Sequence, residues 1–340
     1  MKQRFKAGFT FIVILLLTVP VLPDEVTKVG STASPFLKIG VGARPVGLGG
    51  AYVSLADDAS ALYWNVGGIA QVTRPEVIFN HSRWLEEISF DYLGLAMPLG
   101  SAGVLGISFT SLSMGEFEQT TELDPEGNGV LFSAGSFAVG LSYARQLTNK
   151  FMIGFTGKYI QENIWNSSAK GFALDVGTLF TTPFDGIRLG MSISNFGTKM
   201  QMNGGDLLLQ VDPYPGISGS NDAINALFQT GKFDLPLLFR VGLSWDALKS
   251  ETNRLTLAVD ALHPNDNSES VNIGGEYTFN NFVSIRGGYQ SLFQRNSEEG
   301  FTVGAGLNTG VSSFRFVLDY AYQDFGLLDN VQLFTVRLSF

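Results

Sequence analysis

The chain carries two histidines, His81 and His263, and no cysteine. Without a thiol there is no thiolate nucleophile, disulfide, iron–sulfur cluster or zinc–thiolate centre. A hydrolase built on the histidines would need a hydroxyl or carboxylate coupled to an imidazole. No such motif surrounds His81, and His263 precedes the turn-forming run Pro264-Asn265-Asp266-Asn267. Gly304-Ala305-Gly306-Leu307-Asn308-Thr309-Gly310 falls short of a dinucleotide loop, because no helix follows it. The carboxylates Asp206, Asp212, Asp222, Asp266 and Glu269 lack the spacing of a calcium loop. The sequence therefore predicts no catalytic residue, no metal site and no cofactor: not an enzyme.

The elements around these residues are unusual in composition. Only 16% of the 340 residues are charged, against about a quarter in a soluble domain. Glycine (40) and phenylalanine (28) are abundant. The balance of 22 Lys+Arg against 31 Asp+Glu gives a net charge of −9, which speaks against nucleic acid as a partner. Mean hydropathy is slightly positive at +0.16, yet only one apolar run approaches the length of a spanning helix. That run, Phe9–Leu17, follows Lys2, Arg4 and Lys6 and precedes Pro20 and Pro23. A basic stretch followed by a short apolar one reads as a secretory signal peptide over 1–23, although Val19–Pro23 lacks a clean small-x-small cleavage pattern.

From Glu76 onward apolar and polar residues alternate with period two. Phe301-Thr302-Val303-Gly304-Ala305-Gly306-Leu307-Asn308 is the clearest case, and Leu255–Ala261, Phe239–Trp245 and Phe314–Tyr322 repeat it. The pattern predicts fourteen strands over 76–84, 88–98, 102–111, 133–147, 150–163, 171–182, 187–195, 235–246, 253–263, 269–280, 282–292, 300–310, 312–323 and 330–340. Tight connections such as Thr148–Lys150 and Asn280-Asn281 alternate with longer polar ones, Ser113–Phe132, Asn195–Asp234, Phe293–Glu299 and Asp324–Asp329. Short turns on one rim, long loops on the other and an even strand count predict an all-β fold: a transmembrane antiparallel barrel of the Gram-negative outer membrane.

One face of the strands is rich in Phe, Leu, Val and Tyr, as a lipid-facing band requires. Tyr143, Tyr159, Tyr277, Phe279, Tyr289, Tyr320 and Tyr322 cluster toward strand ends as an interfacial girdle would. The other face is Gly, Ser, Thr and Ala with isolated charges: Lys158, Asp175, Arg240, Asp260, Glu276, Arg286, Arg315, Asp319 and Arg337. These are expected to line a polar lumen and pair there. The chain closes on Phe334, Val336, Leu338 and Phe340, an alternating strand of the kind that the barrel-assembly machinery would engage through its terminal aromatic.

Between the signal and the first strand, over 24–75, the alternation breaks. Phe36–Ala70 carries glycines at 47, 49 and 50, which permit close backbone approach. Asp57 or Asp58 is placed to cap a short helix through Trp64, and Asn65-Val66-Gly67-Gly68 provides a turn. The segment is expected to lie as a compact plug in the lumen of the 76–340 barrel. Arg44 and the Asp57-Asp58 pair would then need partners of opposite sign, such as Arg240, Arg286, Arg315 or Glu276.

This segment resembles the opening of the PorV/PorQ family of outer-membrane proteins, relatives of the fatty-acid transporter FadL. Ala43, Arg44, Gly47, Gly49, Gly50, Ala51, Ala56, Asp57, Asp58, Ala61, Leu62, Tyr63, Trp64, Asn65 and Gly68 match the family pattern. Leu48, Val66 and Gly67 depart from its Met, Pro and Ala, and the last two are expected to loosen the turn at Asn65. The resemblance implies an accessory of protein secretion or surface-protein handling of type IX kind, partnered by secretion proteins or exported cargo. The alternative it implies is FadL-like passage of a hydrophobic ligand. The loop stretch Ala223–Phe228 reads as apolar and helix-like, suited equally to docking a lipid, a partner protein or a cargo domain and to packing as a lid on the barrel mouth.

Overall fold

A computed structural model describes residues 28–219, 223–294 and 297–340. The signal-peptide expectation over 1–23 lies outside the described residues. Fourteen strands form the wall: β1 (Glu76–Arg83), β2 (Ser89–Pro98), β3 (Val104–Glu118), β4 (Leu131–Thr148), β5 (Phe151–Ile164), β6 (Ser167–Thr181), β7 (Ile187–Gly197), β8 (Leu238–Lys249), β9 (Asn253–Pro264), β10 (Ser270–Phe279), β11 (Val283–Leu292), β12 (Phe301–Val311), β13 (Phe314–Asp324) and β14 (Asn330–Ser339). Each strand pairs antiparallel with its neighbours in sequence, and β1 pairs with β14 from Glu76↔Ser339 to Arg83↔Gln332. The sheet is thereby closed and has no free edge, as a lipid-immersed sheet must be. No helix among the described residues is long and apolar enough to cross a membrane.

Both faces follow from the alternation. On β9, Thr256, Ala258 and Asp260 are buried, while Leu257 and Val259 are exposed. On β12, Thr302 is buried and Phe301, Val303 and Leu307 are exposed. Exposed apolar side chains on every strand form the outer surface. Phe109, Phe137, Tyr159 and Phe172 make a row across β3 to β6, with ring centroids 6.3, 6.1 and 5.4 Å apart.

Three expectations are revised. The β3–β4 hairpin extends past Ser113, pairing Glu116 with Ser133 and Glu118 with Leu131, so its loop shrinks to 119–130. A bulge between Ser113 and Glu116 shifts the register there, which hides the extension from a period-two reading. On the long-loop rim, β5 and β6 are joined by Trp165-Asn166 alone. The stretch Ala223–Phe228 contains no helix; Ile224–Leu227 is a strand paired with Leu208–Val211. A short helix leaves most of its backbone groups without intrahelical partners, whereas the hairpin satisfies them across the pair.

A charge on the outer face should cost stability in proportion to its depth. Leu257→Arg or Val303→Arg is expected to destabilise the barrel by about 2–4 kcal/mol, and Leu248→Arg, beside the 250–252 turn, by about 0–1 kcal/mol. Unfolding in lipid or detergent measures both, and equal losses would contradict the assignment of depth.

Candidate functional site

Pro35–Gln71 runs along the inward face of the wall and contains α1 (Ala43–Gly47), α2 (Ala61–Trp64) and 3-10 turns at Pro35–Lys38 and Val66–Gln71. Its apolar residues Val41, Ala43, Leu48, Tyr52, Leu55, Ala59 and Ile69 are fully buried. Such short helices leave most of their amides without intrahelical partners, and buried amides need acceptors. The wall supplies them. Asp260 accepts from the amides of Tyr52 (2.8 Å) and Val53 (2.9 Å). Thr302 Oγ1 accepts from Gly49 N, Thr335 Oγ1 from Ala43 N, and Glu76 from Ala59 N.

Close approach explains two of the glycines. Gly49 has φ +65°, and a Cβ there would lie 2.7 Å from Tyr289 N and 2.8 Å from the Ile273 carbonyl. Gly67 backs onto Gly177 of β6, where a Cβ would meet the Gly177 carbonyl oxygen at 2.7 Å. The turn beside it is tightly held rather than loosened. Asn65 Nδ2 donates to the carbonyls of Val53 (2.7 Å) and Thr178 (2.9 Å), and its Oδ1 accepts from Gly67 N.

Arg44 is the electrostatic centre. Its guanidinium contacts Asp57 at 2.6 Å, Asp58 at 3.1 Å and Glu276 at 3.0 Å, and donates to the Tyr52 hydroxyl. Asp58 meets Arg337 at 2.6 Å, Arg337 lies 3.8 Å from Asp319, and Asp319 meets Arg286 at 2.7 Å. Arg286 meets Glu276 at 2.7 Å. Arg44, Asp58, Arg337, Asp319, Arg286 and Glu276 thus close a ring of alternating sign, with Asp57, Glu76 and Arg254 at its margin. Burial alone would raise the Asp58 carboxyl, but Arg337, Arg44 and the bonds from Ser60 hold it well below the usual carboxylate range. Burial pushes the Tyr52 hydroxyl well up, against the pull of Arg44, so it serves as a neutral donor to Asp58.

The expected partners are thus only partly those found. Glu276 does meet Arg44, but the Asp pair is held by Arg44 and Arg337, not by Arg240, Arg286 or Arg315. Arg240 instead lies over the rings of Trp64 (5.1 Å) and Tyr63 (5.9 Å). Lys158 and Asp175 form a separate pair at 2.6 Å that also holds Asn195. Arg315 shares the inward register but is exposed beside the 312–313 turn, bonded to Asn308. Asp58 bonds Ser60 at the residue before α2, so it braces the helix entrance without donating a cap to the helix itself. Glu76, Tyr52, Thr302 and Thr335 are site residues that the sequence reading omits. The inward parity of Glu76, Thr302 and Thr335 is the signal that would have found them. His81 and His263 lie exposed, paired with Asp91 and Glu269.

The PorV family model, described as type IX secretion system protein PorV, matches residues 23–207. No curated protein matches the sequence. Among solved structures, the chain is similar to a Pseudomonas aeruginosa FadL homologue (11% identity, 88% of this chain and 98% of that one, TM-score 0.52). It is similar also to the CymD monoaromatic hydrocarbon channel (12%, 88% and 98%, 0.53). The Pseudomonas putida toluene transporter TodX is a third (13%, 88% and 97%, 0.53). At these identities the likeness is one of fold.

Removing Arg44 takes one cation from three carboxylates: Asp57 loses its ion-pair partner, buried Asp58 is left with Arg337, and buried Glu276 with Arg286 and, at 3.8 Å, Arg254. Arg44→Met should destabilise by about 3–5 kcal/mol, and pairing it with Glu276→Gln should recover part of the loss. Thermal unfolding in detergent reads both. The pH dependence has a definite sign. Because the folded value of Asp58 is depressed below its ordinary value of about 3.9, its contribution is complete above that pH and is lost as pH falls through the folded value. Arg337→Gln should therefore expose the inner segment to protease at a higher pH than in the parent chain during acid titration.

Proposed function

We propose a role in protein secretion for this chain, which belongs to the PorV family of type IX secretion system proteins, as an outer-membrane barrel whose lumen is occupied and whose loop rim meets secretion components or exported cargo. The family match over 23–207 carries the reading, because it spans the inner segment and the wall through β7. The inner segment acts as a plug: the ring from Arg44 to Glu276 ties it to the wall on several strands.

The loop rim presents the surface suited to partners. The hairpin Leu208–Val211 and Ile224–Leu227 exposes Leu208, Ile224 and Leu227, with Phe228 beside them, and among the described residues its two strands pair only with each other. An extended partner segment would add to the edge of such a hairpin. Export begins with a signal peptide over 1–23, and β14, followed by the exposed ring of Phe340, engages the barrel-assembly machinery.

Disrupting the gene should abolish surface display of cargo bearing C-terminal secretion signals and leave uptake of small hydrocarbons unchanged; the reverse pattern would overturn the secretion reading. A chain lacking 205–228 should assemble as a heat-modifiable barrel yet fail to restore display. Deleting 36–70 tests the plug separately, through ion conductance in planar bilayers. A gating plug predicts raised conductance from a folded barrel, and an unchanged closed barrel would reduce the segment to a structural filler.

A further inference from the structure

On the outer side of the loop rim, a cavity of about 660 Å³ is lined by Ser168, Lys170, Lys199, Gln201, Asn203 and Lys232. Three lysines converge there although the chain as a whole is acidic, with a net charge of −9. Their outward direction follows from register. On β6, Ser167, Ala169 and Gly171 are inward, so Ser168 and Lys170 share the outer face with Phe172 and Leu174. Beyond β7 the chain continues beside β6, bonding Thr198 N to the Phe172 carbonyl and pairing Asn203 with Ser168. Met200 is buried against Gly171, which turns its neighbours Lys199 and Gln201 outward. Lys232 joins them by pairing with Gln201.

The charges are incompletely neutralised. Asp234 meets Lys199 at 3.0 Å, and Asp206 is engaged by Asn166 and Ser167. Among the described residues Lys170 and Lys232 have no carboxylate within ion-pair distance. Ser168, Gln201 and Asn203 add neutral donors around them. Ammonium groups with hydroxyl and amide donors are the chemistry of a phosphate site.

The height of the cavity identifies the source of the phosphate. Phe172 is 62% exposed and ends the aromatic row begun by Phe109, Phe137 and Tyr159. Lys170 lies two residues nearer the loop rim, about 7 Å beyond that ring at the rise of a strand. Apolar surface directly below and cationic surface directly above is the profile met by one lipid, acyl chains on Phe172, Leu174 and Phe196 and headgroup on the lysines. We propose that this face binds the phosphorylated headgroup of an outer-leaflet lipid, an inference that rests on the barrel's place in the outer membrane and not on its role in secretion.

The full-length protein in a neutral detergent can be titrated with diphosphoryl lipid A, with the same lipid dephosphorylated, and with inorganic phosphate, reading occupancy by native mass spectrometry. Diphosphoryl lipid should bind at least about tenfold more tightly than the dephosphorylated form, and Lys170→Glu with Lys232→Glu should weaken it by a similar factor. Lys249→Glu, at the opposite rim, makes the same kind of charge reversal and should leave affinity unchanged. Heat-modifiability on gels verifies that each variant is folded. Equal binding of both lipids, or unchanged affinity in the double variant, would overturn the site. Displacement of the lipid by inorganic phosphate at matched concentration would also overturn it, as the mark of a free-anion site.

Discussion

A guanidinium buried away from water must be surrounded by acceptors, and Arg44 meets that demand only because two elements remote in sequence share it. Asp57 and Asp58 come from its own segment, while Glu276 comes from β10. The obligation then propagates: Glu276 and Asp319 also hold Arg286, and Asp58 also holds Arg337. Withdrawing any member takes an ion-pair partner from two others in a low-dielectric interior. Wall and inner segment are therefore conditions of each other, and the polar residues that a water-filled lumen would merely tolerate are here required.

Shape supports charge. The segment approaches the wall so closely that backbone meets backbone at Gly49 and again at Gly67 opposite Gly177. A side chain at those points would hold the segment away and lengthen the bonds to Asp260, Thr302 and Thr335. Some of the abundant glycines thus have a packing reason: they stand where two backbones touch. The outer face carries the opposite solution, with large side chains such as Phe172 and Leu257 directed outward.

Much of this was legible in the residues. Period two in Phe301–Asn308 and Leu255–Ala261 reports the faces directly, because each side meets a different medium. The motif from Ala43 to Gly68 marked the inner segment. What alternation lacks is depth and partner. Arg315 and Asp319 have the same parity, yet one is exposed at a rim and the other is buried in the ring. Asp58 finds Arg337 because the closure of the sheet places the start of β1 next to β14, a relation that no local pattern contains. Bulges defeat the reading as well, as between Ser113 and Glu116. Short apolar runs remain ambiguous between helix and strand until a partner strand is known, which is why Ala223–Phe228 reads wrongly.

The β1–β14 seam has a consequence for how the molecule is made. Three bonds of the inner segment end on the two strands that meet there: Ala59 to Glu76, Ala43 to Thr335 and Asp58 to Arg337. Before the seam closes, Glu76 and Arg337 stand on opposite borders of an open sheet, and the segment is the body to which both can bind. A segment bonded to both sides of the seam could serve as a mandrel. A cylinder wound around it reaches its circumference with its interior charges already matched, whereas one closed empty would have to admit a segment of some thirty-five residues through a finished rim.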